Sequence, residues 1–326
     1  MKKIILSMLL IWNSFASSMD YSLGSVKVTH ESVKVDADSY INPIIIAGVP
    51  SNNDKSAGVV SVSISSNRIA EIKFIEWDTT DINHGEEEVP YLIVEQGRYQ
   101  LEDGIIIEAG QIDLNKNNKT IFFNESFPQV PKLILSPATN NLGYAFNLRA
   151  TNLTRSSYQV ILDKAENNHT PFVPEKVNYL AIYTNGTSVK FPDDQNALVY
   201  TELVNEFGID TYEQHLFIQE EQTSDVEVKH VFESVSILNF NGQLFASANT
   251  NYGGDTFSFR NESQYPDYHF TPGDKTGDYD NIALNGTNQL TVGNREILTD
   301  THPKLTCKIG FLRLNEVVNL SEETRN

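Results

Sequence analysis

The chain has 326 residues, enough for about two to three domains, and its 40% hydrophobic and 21% charged residues exclude a wholly disordered polymer. Forty-three acidic against 24 basic residues leave a net charge of −19. A surface of that sign repels phosphate backbones, which argues against a nucleic-acid partner.

Residues 1–18 read as a secretory signal peptide. Lys2 and Lys3 form a basic start, Ile4 to Trp12 is an apolar run too short to span a bilayer, and Ser14-Phe15-Ala16 offers small residues to a signal peptidase. No later stretch has 18 uninterrupted apolar residues, so no transmembrane segment is expected. The mature chain is expected to be extracellular, or periplasmic or on the cell surface in a bacterium. Beyond residue 18, short β-branched and aromatic runs replace helical periodicity: Val59–Ile64, Lys132–Leu135, Tyr158–Leu162 and Val177–Ile182. Alternation within them, and Gly, Asn, Asp and Pro between them, predict an all-β protein of antiparallel sandwiches or barrels.

The runs repeat. Glu87-x-Val89, Glu175-x-Val177 and Glu233-x-Val235 each open a strand, with His84, His169 and His230 shortly upstream. Leu133 to Arg149 and Leu244 to Arg260 align without a gap, sharing Thr-Asn-x-x-Gly-x-x-Phe-x-(Leu/Phe)-Arg, and Ile44 to Ile64 fits the same plan. Four tandem units are the simplest reading: 19–113, 114–187, and two divergent units at 188–240 and 241–326. Gly97 to Gly110 contains the turn signal Asp103-Gly104 and is expected to form an extra hairpin joining the first two.

Towards the C-terminus, residues 261–305 are expected to be the least regular part of the mature chain, since Asn261 to Asp280 lacks an apolar alternation. Asp274 to Asp280 spaces its acids like a calcium loop without the closing glutamate; beyond that faint Ca2+ signal no cofactor is expected. Cys307 is the only cysteine, so no intrachain disulfide exists. In the strand-like run Cys307 to Leu314 it reads as a small buried hydrophobe.

The first two units resemble the H-type lectin domain. The likeness rests on Phe127-x-x-Val130-Pro131-x-Leu133, on Asn147 to Thr154 (NLRATNLT), on the strand end Trp77-Asp78-Thr79, and on the last strand Val177-x-Tyr179-Leu180-Ala181. The resemblance implies a small antiparallel sandwich that often trimerises and binds galactose or N-acetylgalactosamine at sites between protomers. It therefore implies glycan partners, and a homo-oligomer or equivalent contacts between repeats of one chain.

Sugar recognition needs paired hydrogen-bonding groups and an aromatic face. Trp77, Asp78, Asp81 and His84 lie within eight residues; Asp163, Asn168 and His169 hold the matching place in the second unit. Arg149, matched by Arg260, ends a repeated strand and could grip vicinal hydroxyls. Each has a plainer alternative: a solvated turn for the acids and amides, a core position for Trp77, an ion pair for the arginines. His84 and Glu87 are three apart, as are His230 and Glu233, and on a continuous strand they would face opposite ways, which argues against a shared zinc. Nucleophile, metalloprotease and phosphate-loop motifs are absent, so no enzyme is expected. The resulting expectation is a secreted, multivalent, lectin-like or adhesive protein. An extracellular scaffold is the alternative, and a polysaccharide-acting enzyme the second alternative.

Overall fold

The computed structural model describes residues 19–54, 56–77, 84–211, 214–221, 230–250 and 256–263, with the backbone of 282–284 and 290–292. The expected signal peptide, Asp78, Asp81, the calcium-like run and Cys307 lie outside the described residues. The protein is all-β. Among the described residues the one helical element is a short 3-10 turn, Glu102–Gly104.

Unit 1 contains β1 (Tyr21–Val28), β2 (Val33–Asp36), β3 (Pro43–Ala47), β4 (Gly58–Ile64), β5 (Ile69–Glu76) and β6 (Glu87–Glu95), in facing sheets ordered β1-β6-β3 and β2-β5-β4. After β7 (Gly97–Gln100) comes unit 2: β8 (Ile106–Leu114), β9 (Lys119–Phe122), β10 (Lys132–Pro137), β11 (Phe146–Thr151), β12 (Ser157–Lys164) and β13 (Glu175–Tyr183). Its sheets run β10-β13-β8-β7 and β9-β12-β11. Asp103 and Gly104 turn the β7–β8 hairpin with φ of 56° and 73°, as their sequence signal implies. The hairpin is more than a connector, however. β8 pairs with β13 along its whole length, so unit 2 begins there and not at 114.

After β14 (Ser188–Lys190), the last sandwich corrects the sequence reading. It contains β15 (Asn196–Val204), β16 (Ile209–Thr211), β17 (Gln214–Glu220), β18 (Glu233–Phe240), β19 (Gln243–Ala248) and β20 (Phe257–Ser263). The orders β15-β18-β19 and β16-β17-β20 match those of units 1 and 2. Segments 188–240 and 241–263 are therefore two halves of one unit 3. Its third and fourth strands come last in sequence because their pair has been moved behind the fifth and sixth. Registers match residue for residue. Ala47 opposes Tyr91, Leu135 opposes Tyr179 and Ala246 opposes Ile237; Gly58 opposes Glu76, Phe146 opposes Lys164 and Phe257 opposes Glu220. The rearrangement is feasible because the strands newly joined are sheet neighbours. β18 turns into β19 through Asn241 and Gly242, with φ of 50° and 96°, the left-handed pair of a tight hairpin. A final strand pair, β21 (Ile282–Leu284) and β22 (Leu290–Val292), stands apart. Within the stretch 261–305, expected to be the least regular, Asn261 to Ser263 lie in β20, and β21 pairs with β22.

Each sandwich has its own core, built by alternation: Ala70, Ile72 and Phe74 on β5, and Tyr158, Val160 and Leu162 on β12, point inward. By contrast β13 and β18 are buried almost throughout. Their second face meets the other units, and one shared cluster gathers Ile46, Ile134, Leu180, Leu238 and Phe245 from all three. Burying such a side chain contributes about 1.5–3 kcal/mol.

The units close into a ring. The Ala47 N–H donates to Ser136 Oγ at 3.1 Å, and one step on Leu135 N–H donates to Ser247 Oγ at 2.8 Å. At the third step the equivalent residue is Gly48. A Cβ there would lie 2.4 Å from the Pro90 ring and 2.5 Å from the Leu244 carbonyl, so the close approach of units 3 and 1 requires glycine. That seam closes through Val49 N–H to the Leu244 carbonyl (2.8 Å) and a bridge between Ser51 and Asn261.

Candidate functional site at the seams between units

The recurring glutamate that opens the sixth strand stands at each seam. Glu87 is fully buried and accepts the N–H groups of Asn53 and Asp54, each at 3.0 Å, and the Ser51 hydroxyl. From unit 3, Arg260 on β20 reaches across and places Nη2 2.6 Å from it. His84 completes the set, with Nε2 3.2 Å from Glu87 and Nδ1 2.8 Å from Glu76. The His84 ring stacks on Phe74 at 3.9 Å, and the Arg260 guanidinium sits 4.8 Å from the same ring. Gly58 makes this possible, since a Cβ there would come within 2.4 Å of Phe74.

The seam between units 2 and 3 repeats the arrangement. Arg149 of unit 2 pairs with the buried Glu233 of unit 3, and its Nε lies 3.0 Å from Asp163. His230 bridges Glu233, at 3.1 Å, and Glu220. The aromatic partner is now Phe257, 5.0 Å from the Arg149 guanidinium and 4.7 Å from the His230 ring. Phe257 holds the place of Gly58, so the ring is supplied by the neighbouring strand.

The seam between units 1 and 2 departs from this. Ser61 holds the arginine position, and Lys164 that of Glu76. Glu175 accepts the Leu142 N–H at 2.7 Å and the Thr139 hydroxyl, from its own unit. Asn140 donates to Ser61 Oγ at 3.2 Å across the seam. Trp77 fills the remaining space, packed with Val59, Ala145 and Ala165.

Burial alone would lower the pKa of His230, but the carboxylates of Glu220 and Glu233 reverse this and raise it to about 9. His84 is raised in the same sense: burial opposes, and Glu87, Glu76 and Asp54 prevail. For Glu87 burial pushes upward, while His84 and Arg260 bring it below the usual range. Burial raises Asp163 despite Arg149.

Among the residues expected to contact sugar, Trp77, His84 and Arg149 are buried, and Arg149 and Asp163 meet as an ion pair. The polar surface of these three is therefore turned into the seams and away from solvent. Asn168 and His169 lie on the turn after β12, His169 exposed. His84 and Glu87 do share a contact, because His84 precedes β6 and the alternation of strand faces does not apply to it. The glutamates were legible as a repeated Glu-x-Val form, but it reads as an ordinary strand pattern. Asp54 carried no repeated signal, whereas Glu76 stands in an acidic strand end that recurs at Glu220.

Where the three units meet, a cavity of about 70 Å3 is lined by Gly48, Ser136, Ser247, Val60, Leu148 and Phe259 among others. That is room for about two waters and is far below the several hundred Å3 of a typical ligand pocket. No helix among the described residues is long and apolar enough to cross a membrane. No family model and no solved structure matches the chain. Over 157 residues the chain is 29% identical to Halomucin of Haloquadratum walsbyi (strain DSM 16790 / HBSQ001), an alignment covering 44% of this chain and 2% of that protein.

Proposed function

We propose that the protein is an extracellular, non-catalytic adhesion module that presents carbohydrate-binding rims around a ring of three sandwiches. The observation that carries this reading is the ring itself. The H-type lectin resemblance implies sugar sites between protomers, and this chain builds three seams out of its own repeats, two of them with matching ion pairs. Because the seam interiors are filled by ion pairs and Trp77, ligand contact falls to the exposed rim: Asn53, Asn141, Tyr144 and His169. Weak rims on one chain gain avidity through effective concentration. Glycan-array binding, competed by free galactose or N-acetylgalactosamine and weakened by Tyr144→Ala, is the expected result; a clean blank across neutral and amino sugars overturns it.

The filled seams and the small axial cavity favour a second reading, a rigid scaffold of an extracellular matrix. Sugar-independent sedimentation into large assemblies is its expected signature.

A further inference from the structure

We propose that Asp54, Glu76 and His84 form a binding site for a divalent transition metal of the zinc or manganese class, at the rim of the seam between units 3 and 1. The three side chains come from the β3–β4 loop, the end of β5 and the approach to β6, and their ligand atoms lie within 4.8 Å of one another. His84 Nδ1 stands 2.8 Å from Glu76 Oε1 and 3.9 Å from Asp54 Oδ2. Ligands held at about 2.0–2.2 Å around one tetrahedral ion are separated by roughly 3.3–3.6 Å, a range these distances bracket.

A second shell is in place. A metal-binding histidine commonly gives its other ring nitrogen to a carboxylate, which sets the tautomer. His84 Nε2 faces Glu87, and Glu87 is itself anchored by Arg260 and two backbone N–H groups. That leaves Nδ1 directed at Asp54 and Glu76. The Asp54 carboxylate is oriented by the N–H groups of Ser56 (3.0 Å) and Gly85 (2.7 Å).

Comparison among the units makes the site specific. Asp54 and Leu142 are equivalent, since each gives its N–H to the buried glutamate of its unit. The repeat places Gly253 there in unit 3. Among the described residues, only unit 1 thus adds a third carboxylate beside its histidine. The charged groups facing His84 are Asp54, Glu76, Glu87 and Arg260. Three carboxylates against one guanidinium leave two negative charges for a divalent ion to balance. Asp54 is 28% exposed, which gives an ion and a completing water a way in. The nitrogen ligand selects against calcium, which prefers an all-oxygen shell.

The test titrates ZnCl2, MnCl2 and CaCl2 separately into the full chain by calorimetry. One zinc per chain is expected. Asp54→Asn and Asp54→Leu, the latter the residue unit 2 carries, are expected to weaken zinc at least tenfold while the metal-free proteins keep the wild-type melting profile. Zinc binding that Asp54→Leu leaves intact places the ion on exposed histidines and overturns the proposal. So does calcium bound as tightly as zinc, or no saturable zinc binding.

Discussion

Arg149 and Arg260 show how a surface-type residue becomes a seam residue. Each is almost completely buried, which is tolerable only because a glutamate of the next unit meets it with further hydrogen bonds. Removing one partner strands a buried charge. Arg149→Met is therefore expected to cost about 3–5 kcal/mol in chemical denaturation. A second expectation concerns pH. His230 rises from 6.5 unfolded to about 9 folded, so the folded state binds its proton more tightly. The stabilisation, about 3 kcal/mol at most, is complete below about pH 6.5 and is lost as pH rises through about 9. The melting temperature is expected to fall across that alkaline window, and His230→Gln to flatten the fall; an equal slope in both proteins would count against it. At this scale the arginines were legible because their strands repeat. Their partners were not, since nothing in Glu-x-Val distinguishes a seam glutamate from one at the start of any exposed strand.

Among elements, the moved strand pair decides the architecture. β17 has sheet neighbours on both sides only because β20 arrives from beyond β19, and Arg260 comes with it. A chain ending after Phe240 is consequently expected to lose hydrogen-exchange protection in β17 and β18 while unit 2 keeps its own core. If 188–240 were a self-sufficient repeat, those strands would stay protected. The cores of β13 and β18 were legible as strands, but their burial on both faces was not, because Asn178, Ser234, Ser236 and Asn239 interrupt the apolar residues. The gap-free match of Leu133–Arg149 to Leu244–Arg260 announced equivalent strand pairs. What the match suggested, a fourth unit, failed because similarity reports which strands correspond and not which sheet they enter.

On the scale of the molecule, closure of the ring within one chain uses up the seams that separate protomers would otherwise supply. Cyclic symmetry is satisfied internally, so a single-chain mass is expected in sedimentation at micromolar concentration. The seam between units 3 and 1 joins the ends of the ring and depends on Arg260. Arg260→Met is expected to leave three folded sandwiches with an opened ring, read as a larger scattering radius and a melt that separates into steps. A compact, single-step melt would show that apolar contacts alone close it. From the sequence by itself came the all-β class, the two complete repeats, the matched arginines and the acidic surface, because alternation, turn residues and charge act locally along the chain. Only the tertiary structure decided that the described residues form three units and not four, that these form a ring, and that Trp77, His84 and Arg149 face inward. Those outcomes depend on which strand edges and which charges meet between residues 79 to 212 apart in sequence, and no local pattern encodes such pairings.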